Sequence, residues 1–269
     1  MDVSRSGYYQ YLKRKYENRI DPDFALIVKV KEIHHDSKGT YGSRRTSKQL
    51  RKDGDDIGRT RARNLMRKAN VSVKRYKKFK ITTDSNHKFP VAPNLLKRQF
   101  EVQRPNRVWC ADITYLWTHQ GWLYLGVVID LYSRKIVGWA RDSRMKSSLV
   151  EQALSMAYWH RKPDKGLIHH SDRGSQYAGK EYQKLIKRYG MFGSMSRKGD
   201  CWDNAVVESF FHILKTERTN GTIYRTRDQA RKDVIDYIEM FYNSKRLHSF
   251  IGYESPNDFE NEMELLLAA

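Results

Sequence analysis

The chain has 269 residues, of which 39% are hydrophobic and 12% aromatic, so it can bury a core and is not wholly disordered. Lysine and arginine number 51 against 31 acidic residues, a formal charge of +20, and no apolar run approaches the roughly 20 residues that a membrane span needs. The two cysteines, Cys110 and Cys201, fit neither a disulfide framework nor a zinc site, which favours a reducing, cytoplasmic setting.

The positive charge lies mainly in the first part of the chain. Residues 1–100 contain 26 basic and 10 acidic side chains, whereas residues 101–269 contain 25 and 21. This asymmetry favours binding of a polyanion, above all nucleic acid. The alternative is a basic surface that only keeps the protein in solution.

Three helical patterns follow one another near the start. Residues 23–36 place apolar side chains at helical spacing, Gly42-Ser43 supplies a break and an N-cap for a helix to about Arg51, and a third helix opens near Thr60. Such a module is typical of a helix-turn-helix, although an ordinary small bundle shares the pattern. The basic residues predicted to face DNA in this module are Arg44, Arg45, Arg59, Arg61, Arg63 and Arg67.

A basic linker is predicted over 74–104. It opens with KRYKKFK, in which Lys74, Arg75, Lys77 and Lys78 suit contact with phosphates, and continues with weak periodicity and two prolines. The predicted organisation is therefore a helical DNA-binding region (1–73), this linker, and a third region (105–269) that ends in a C-terminal helical extension.

The third region begins with strands. The runs VWCADITYLW, WLYLGVVIDL and SRKIVGWA, separated by turn residues, predict an antiparallel meander. A helix at 147–160, a strand at 167–171, a helix at 175–189, a short strand at 190–194, and helices at 203–217 and 227–243 follow. This order predicts an α/β fold, a mixed sheet with three antiparallel and further parallel strands flanked by helices.

Three carboxylates lie in or beside apolar elements, where an unpaired charge is costly unless it binds a metal or a partner. Asp112 lies inside the first strand, Asp172 follows the fourth, and Glu208 lies within a helix after two valines. They can converge at one edge of the sheet. Oxygen ligands without a Cys or His cluster favour Mg²⁺ or Mn²⁺, and two ions can serve both oxygens of a displacement at phosphorus.

Other side chains near these positions have competing interpretations. Asp203 is expected to cap the helix that carries Glu208, and Asp130 is a weaker rival for the site. His169 and His170 precede Asp172 on a strand, and a core position is the commoner outcome for such residues. Residues predicted to share the face of Glu208 or to support the site are His170, Asn204, His212 and Lys215. The tryptophans Trp109, Trp117, Trp122, Trp139 and Trp202 are predicted to pack in the core.

The motifs around these residues resemble a known family. HHSDRGSQY (169–177), SRKGDCWDNAVVESFFHILKTE (196–217), YNSKRLHSFIGYESPNDF (242–259) and WCADITYL (109–116) are similar to the integrase-core transposases of bacterial insertion sequences. The IS-three family, whose second reading frame carries this core, is the nearest match. HHDSKGTYGSRR (34–45) resembles its preceding helix-turn-helix, so the resemblance spans nearly the whole chain.

The resemblance implies a ribonuclease-H-like catalytic core with Asp112, Asp172 and Glu208 as a metal-binding triad for two Mg²⁺ or Mn²⁺ ions. It implies strand cleavage and strand transfer at the terminal inverted repeats of an insertion sequence, without a covalent protein–DNA intermediate. Lys215 fits a family position that contacts the DNA end, whereas the roles of Tyr242, Asn243, Arg246 and His248 stay open.

The implied partners are double-stranded DNA, at least one further copy of the chain on that DNA, and an upstream first-frame protein that carries another DNA-binding segment. No membrane is implied, and the expected place of action is the bacterial cytoplasm, at the nucleoid. His34 and His35 have no matching cysteine pair, so no zinc module follows. Two alternatives remain, a DNA-binding regulator with an inactive core and a ribonuclease-H-type nuclease.

Overall fold

The computed structural model describes residues 4–16, 21–73, 90–198 and 200–268. Its contacts divide the chain into two compact units, Met1–Val73 and Lys74–Ala269. Lys74, Arg75, Lys77 and Lys78, predicted to contact phosphates, lie outside the described residues. No helix within the described ranges is long and apolar enough to cross a membrane.

The N-terminal unit contains helices α1 (Arg5–Tyr16), α2 (Phe24–Asp36), α3 (Ser43–Lys52) and α4 (Arg59–Lys68). Its core is formed by one apolar side of each of the last three helices, with Val30, Ile33, Leu50, Leu65 and Met66 buried. Gly42 and Gly58 are the N-caps of α3 and α4, both in extended conformation, so the chain turns sharply into each helix. Helix α1 is not predicted by the sequence, because it has no apolar stripe and its described side chains are mostly exposed.

The C-terminal unit is built on a five-stranded mixed sheet. Strands β1 (Val108–Thr118), β2 (Gly121–Asp130) and β3 (Ile136–Asp142) form an antiparallel meander, and β4 (Ile168–Ser171) and β5 (Phe192–Met195) continue the sheet in parallel. The strand order is β3-β2-β1-β4-β5. The predicted mixed sheet with three antiparallel strands and parallel strands beside them is confirmed, in the arrangement of a ribonuclease-H-like core.

One face of this sheet is covered by α5 (Ser147–Arg161) together with α6 (Ser175–Ala178) and α7 (Lys180–Arg188). Helix α5 lies against β3 so closely that a Cβ at Gly138 would meet the carbonyl oxygen of Ala153 at 2.3 Å. Only glycine allows this approach. The helix predicted over 175–189 is two helices, because the backbone becomes extended at Gly179.

The other face packs on α8 (Ala205–Leu214) and α9 (Arg227–Asp236), which contact β1 and β2. A 3₁₀ turn (Cys201–Asn204) precedes α8, and wider π-helical turns follow α8 (Lys215–Thr219) and α9 (Tyr237–Tyr242). A further 3₁₀ turn (Ser249–Ile251) leads to α10 (Pro256–Ala268). Hydrophobicity patterns predict α8 and α9 but not the changes from α-helical to π-helical winding that follow them.

Candidate active site

Asp112 and Asp172 are placed side by side by the pairing of two strands. In the parallel pair β1–β4, Ala111 lies opposite Ser171, so the next residue on each chain is an aspartate at the same level. Neighbouring strands are separated by about 4.8 Å. The Ile113 N–H donates to Asp112 Oδ1 (2.7 Å), and the Gly174 N–H donates to Asp172 Oδ1 (2.8 Å).

Glu208 reaches the same edge from α8. The side-chain amide of Asn204, at the N-terminus of this helix, donates to the carbonyl oxygen of Ala111 (3.2 Å) and fixes the helix on β1. Glu208 follows Asn204 by four residues and therefore shares its side of the helix. The structure thus brings the three predicted carboxylates from β1, the end of β4 and α8 to one edge.

The charges of these carboxylates act on one another. Burial and then the charge of Asp172 raise the pKa of Asp112, with a further contribution from Glu208. Burial and then the charge of Asp172 also raise the pKa of Glu208. Each negative charge opposes ionisation of its neighbouring carboxyl groups, and a cation bound among the three carboxylates would relieve this repulsion.

The donor set suits a hard divalent cation, since all three groups supply carboxylate oxygen. The hydroxyl of Tyr177 is buried and has no hydrogen-bond partner among the described residues, and the charges of Asp112 and Asp172 raise its pKa beyond the effect of burial. Such a donor fits a hydrated ion. Within the described ranges, however, no three His, Cys, Asp or Glu side chains are arranged closely enough to hold an ion. The three carboxylates therefore lie at one edge of the sheet, but in the described residues they are not arranged as a complete metal-binding site.

Comparison with known proteins identifies the family. Residues 102–201 and 208–263 each match an integrase core domain, and residues 21–79 match an HTH-like domain. The chain is 42% identical to an uncharacterized 31 kDa protein of insertion element IS600 from Shigella sonnei, over 99% of this chain and 98% of that protein. It is 41% identical to transposase InsF of insertion sequence IS3A from Escherichia coli K12, over 97% of this chain and 91% of that protein.

The chain belongs to the IS3 family of insertion-sequence transposases. It is a DNA transposase of the DDE type with an integrase core. Two solved integrases are also similar: a simian T-cell lymphotropic virus intasome (17% identity, TM-score 0.48, 85% of this chain and 72% of that one) and the catalytic core of BIV integrase (18%, 0.45, 61% and 99%).

Lys215 of the transposase lies at the junction of α8 and the π-helical turn. Its side chain is buried, and its ammonium lies 5.1 Å from the centre of the Tyr115 ring. Burial lowers the pKa of Lys215 to about 8, against an opposing effect of the Asp112 carboxylate. This cation is therefore part of the carboxylate edge rather than of an outer helix surface.

Asp203 does not cap α8, which corrects the sequence prediction. Its carboxylate is buried and accepts hydrogen bonds from Arg197 (3.0 and 3.1 Å), Arg98 (2.8 Å) and Asn94 (2.9 Å). The bonds from Arg197 hold the pKa of Asp203 well below its usual range. Arg197, six residues earlier, and Arg98, 105 residues earlier, thus anchor the turn before α8.

Asp130, the other alternative candidate for a catalytic carboxylate, also has a structural role. It is fully buried and accepts from the backbone N–H groups of Asn106 (2.8 Å) and Tyr132 (3.0 Å) and from the Trp109 indole (3.3 Å). It lies opposite Trp109, near the start of β1, and is three positions from the level of Asp112.

The two histidines before Asp172 are core residues. His169 pairs with the Tyr182 hydroxyl (3.0 Å), and His170 pairs with the hydroxyls of Ser194 (2.8 Å) and Ser196 (3.2 Å). Burial lowers the pKa of His169 to about 3 and that of His170 to about 4, so both rings are neutral at pH 7. His212 lies one turn beyond Glu208 on α8 and is exposed.

The prediction that the tryptophans form core holds for Trp109 but is wrong for three others. Trp117, Trp122 and Trp202 are 57%, 42% and 69% exposed. For the first two the reason is the length of the neighbouring strands: β4 pairs with β1 only as far as Ala111, and β3 pairs with β2 only from Tyr124 onward. Among the described residues, no strand of the sheet therefore continues beside the outer part of the β1–β2 hairpin, where Tyr224 forms a single bridge with Thr118.

The arginines of α4 fall into two groups. Arg61 forms an ion pair with Asp23 (3.4 Å), which ties it to the start of α2. Arg59, Arg63 and Arg67 are exposed at four-residue spacing, and no ion pair to another described residue engages them. Arg44 is exposed on α3, whereas Arg45 lies against the Tyr41 ring (5.7 Å). The uncommitted cations form a basic stripe on α4, which we call the α4 stripe (Arg59, Arg63 and Arg67).

Proposed function

We propose that Asp112, Asp172 and Glu208 are the catalytic and metal-binding residues of this transposase, with two Mg²⁺ or Mn²⁺ ions. The observation that supports this assignment is the placement of three mutually repelling carboxylates from separate elements at one edge of the sheet. The reaction is strand cleavage and strand transfer at the terminal inverted repeats of an insertion sequence, without a covalent protein–DNA intermediate.

Bound divalent ions would activate a water or a 3′-hydroxyl and stabilise the leaving oxygen of the phosphodiester. The protein's own residues position these groups. Asp112 and Asp172 are held on adjacent strands with one oxygen of each fixed by a backbone N–H. Asn204 fixes the start of α8 on β1 and so sets the place of Glu208. The buried ammonium of Lys215 supplies positive charge beside Asp112 for the phosphate of the DNA end.

Binding of double-stranded DNA is assigned to the N-terminal unit. The α4 stripe supplies three exposed guanidinium groups at one-turn spacing, which suits phosphates and base edges in a groove. Arg44, Arg45, Arg61 and the linker cations Lys74, Arg75, Lys77 and Lys78 complete the proposed DNA-binding residues. Joining two DNA ends calls for at least a dimer on DNA, an upstream first-frame protein is a further candidate partner, and the place of action is the cytoplasm, at the nucleoid.

The decisive experiment is a cleavage assay on the DNA ends of the encoding element in the presence of Mg²⁺. Glu208→Gln removes one ligand charge with little change in shape. We expect at least about a 100-fold loss of nicking and joining, since even groups that only support metal ligands commonly contribute 10–100-fold. Glu181→Gln, at an exposed site on α7, is the charge-matched control and should act like wild type.

Three outcomes discriminate between the functions. Cleavage by Glu208→Gln at the wild-type rate contradicts the triad. Specific DNA binding with no cleavage by either protein supports the regulator. Hydrolysis of RNA–DNA hybrids without any joined DNA product supports a ribonuclease-H-type nuclease.

A further inference from the structure

An aromatic patch covers the outer part of the β1–β2 hairpin. It consists of Tyr115, Trp117 and Trp122, which we call the hairpin patch. The rings of Trp117 and Trp122 contact across the strands with centroids 4.8 Å apart, and Trp122 meets Tyr115 at 5.0 Å. The two indoles are about half exposed. Exposed tryptophans in mutual contact are unusual on a surface without a ligand.

The patch and the carboxylate edge share one neighbouring side chain, Lys215. The Lys215 ammonium lies over the Tyr115 ring (5.1 Å), and its charge also acts on Asp112. Tyr115 and Trp117 follow Asp112 on β1 by three and five residues, about 10 and 17 Å along the strand, and this odd spacing directs their side chains to the face opposite that of Asp112. Lys215 is therefore the group that links the patch to the carboxylate edge. The distance along the strand is the span of a few nucleotides.

The charges around the patch match a nucleic acid strand. Lys215 lies at its inner end, and the Arg227 guanidinium lies at its outer end, where Nε donates to the carbonyl oxygen of Trp122 (3.1 Å). Aromatic rings with cations beside them are the usual means of holding unpaired bases and their phosphates, since every base has a π face.

The area of the patch argues against a protein partner. An aromatic side chain buries about 150–250 Å² when fully covered, so three partly exposed rings offer far less than the roughly 800 Å² per partner of a stable interface. Since the base faces are closed in a stacked duplex, the patch suits bases that have left the stack.

We propose that the hairpin patch binds unpaired bases of the DNA strand beside the phosphodiester that the carboxylate edge cleaves. The proposal rests on the proposed function, which places that strand at Asp112. It adds a site for bases to the metal and duplex-binding residues, and it gives the exposed tryptophans of the hairpin a role in holding a frayed DNA end.

The test uses the full chain in EDTA, so that binding is measured without catalysis. The probes are fluorescein-labelled duplexes that are blunt or carry a three-nucleotide dT overhang. We expect Trp117→Ala/Trp122→Ala to weaken overhang binding by at least about fivefold, the loss of one stacked base, and to leave blunt-duplex binding unchanged. Trp117→Phe/Trp122→Phe should restore most of the affinity. Trp159→Ala removes an exposed indole at the far end of α5 and is the matched control.

A second measurement needs no variant. Irradiation of wild type with an overhang that contains 5-iododeoxyuridine should attach DNA to Trp117 or Trp122, as located by mass spectrometry. Unchanged overhang affinity in the alanine variant, or attachment only elsewhere, overturns the proposal. A smaller oligomer on sedimentation with unchanged DNA affinity also overturns it and assigns the patch to a second copy of the chain. None of these outcomes depends on cleavage, so a failure of the triad assignment remains separate.

Discussion

Two carboxylates of the active edge, Asp112 and Glu208, are held where their charge is unfavourable. Asp112 has a raised pKa because it is buried and because Asp172 and Glu208 are near. A carboxyl whose pKa is higher in the folded than in the unfolded chain contributes stability below the unfolded value, about 3.9, and loses it as the pH rises through the folded value. At neutral pH the metal-free protein is therefore destabilised by this charge.

Because burial and the nearby carboxylates both make the charge of Asp112 unfavourable, we expect Asp112→Asn to stabilise the metal-free protein at pH 7.5. The gain should be on the order of 1 kcal/mol, or about 2–4 °C in the melting temperature, and should vanish near pH 4. Mg²⁺ should raise the melting temperature of wild type but not of the variant. Asp164→Asn, at an exposed site, is the control for the loss of one charge. A lower melting temperature for Asp112→Asn in EDTA would contradict a raised pKa of Asp112.

The hydroxyl of Tyr177 gives a second prediction for a single residue. Because this group is buried without a partner among the described residues, Tyr177→Phe should leave stability unchanged or slightly higher. If the hydroxyl supports a hydrated ion, the Mg²⁺ concentration for half-maximal cleavage should rise about 10-fold or more. Tyr182→Phe is the matched control: it removes a buried hydroxyl that bonds His169, so it should cost about 1 kcal/mol of stability without changing the Mg²⁺ requirement. The reverse pattern would refute the assignment.

At the scale of elements, the winding of α8 decides where Lys215 lies. The helix changes to a π-helical turn at Lys215, and this turn is fixed by residues near the C-terminus. Arg246, fully buried, donates to both carboxylate oxygens of Glu217 (2.8 and 2.6 Å), and the Tyr237 hydroxyl donates to the same group (2.8 Å). Arg246, whose role stays open in the sequence, thus supports the turn that carries Lys215.

The buried ion pair of Arg246 and Glu217 predicts that the single variants lose more stability together than the double variant does. Arg246→Met leaves the Glu217 charge buried without its partner and should lower the free energy of unfolding by about 3–5 kcal/mol. Glu217→Gln/Arg246→Met should cost less than the sum of the single changes. Urea denaturation followed by tryptophan fluorescence is suitable, since all six tryptophans lie in the C-terminal unit. The control, Lys184→Met, breaks an exposed pair with Glu181 and should change stability little. Additive losses would contradict a coupled pair.

Much of this arrangement could be predicted from local sequence. Apolar runs such as VWCADITYLW identify strands because a central strand is buried on both faces, and carboxylates within such runs stand out. Contacts between distant residues could not be predicted. The ion pair of Asp203 joins it to Arg98, 105 residues earlier in the chain. The exposure of Trp117 and Trp122 depends on where β3 and β4 end.

At the scale of the whole molecule, the excess charge is concentrated in the first part of the chain. The first 100 residues hold a net charge of +16, and the remainder holds +4. Within the N-terminal unit, Lys29, Arg61 and Lys68 form ion pairs with nearby aspartates. The cations on α4 that remain uncommitted among the described residues are those of the α4 stripe. Duplex binding should therefore depend on this stripe more than on total charge.

The dependence of duplex binding on salt concentration shows whether the α4 stripe or the total charge of the protein holds the DNA. Each bond between a cation and a phosphate releases counterions, so removing one such bond makes the slope of log K against log salt concentration less steep by about 0.9. Changing Arg59, Arg63 and Arg67 to Gln should therefore reduce the slope by about 2–3 on a 20-base-pair duplex, measured by anisotropy between 50 and 200 mM NaCl. Changing Lys180, Lys187 and Arg188 to Gln on α7 removes the same charge from exposed sites and should change the slope much less. Equal changes in the two variants would show that net charge, rather than the α4 stripe, holds the duplex.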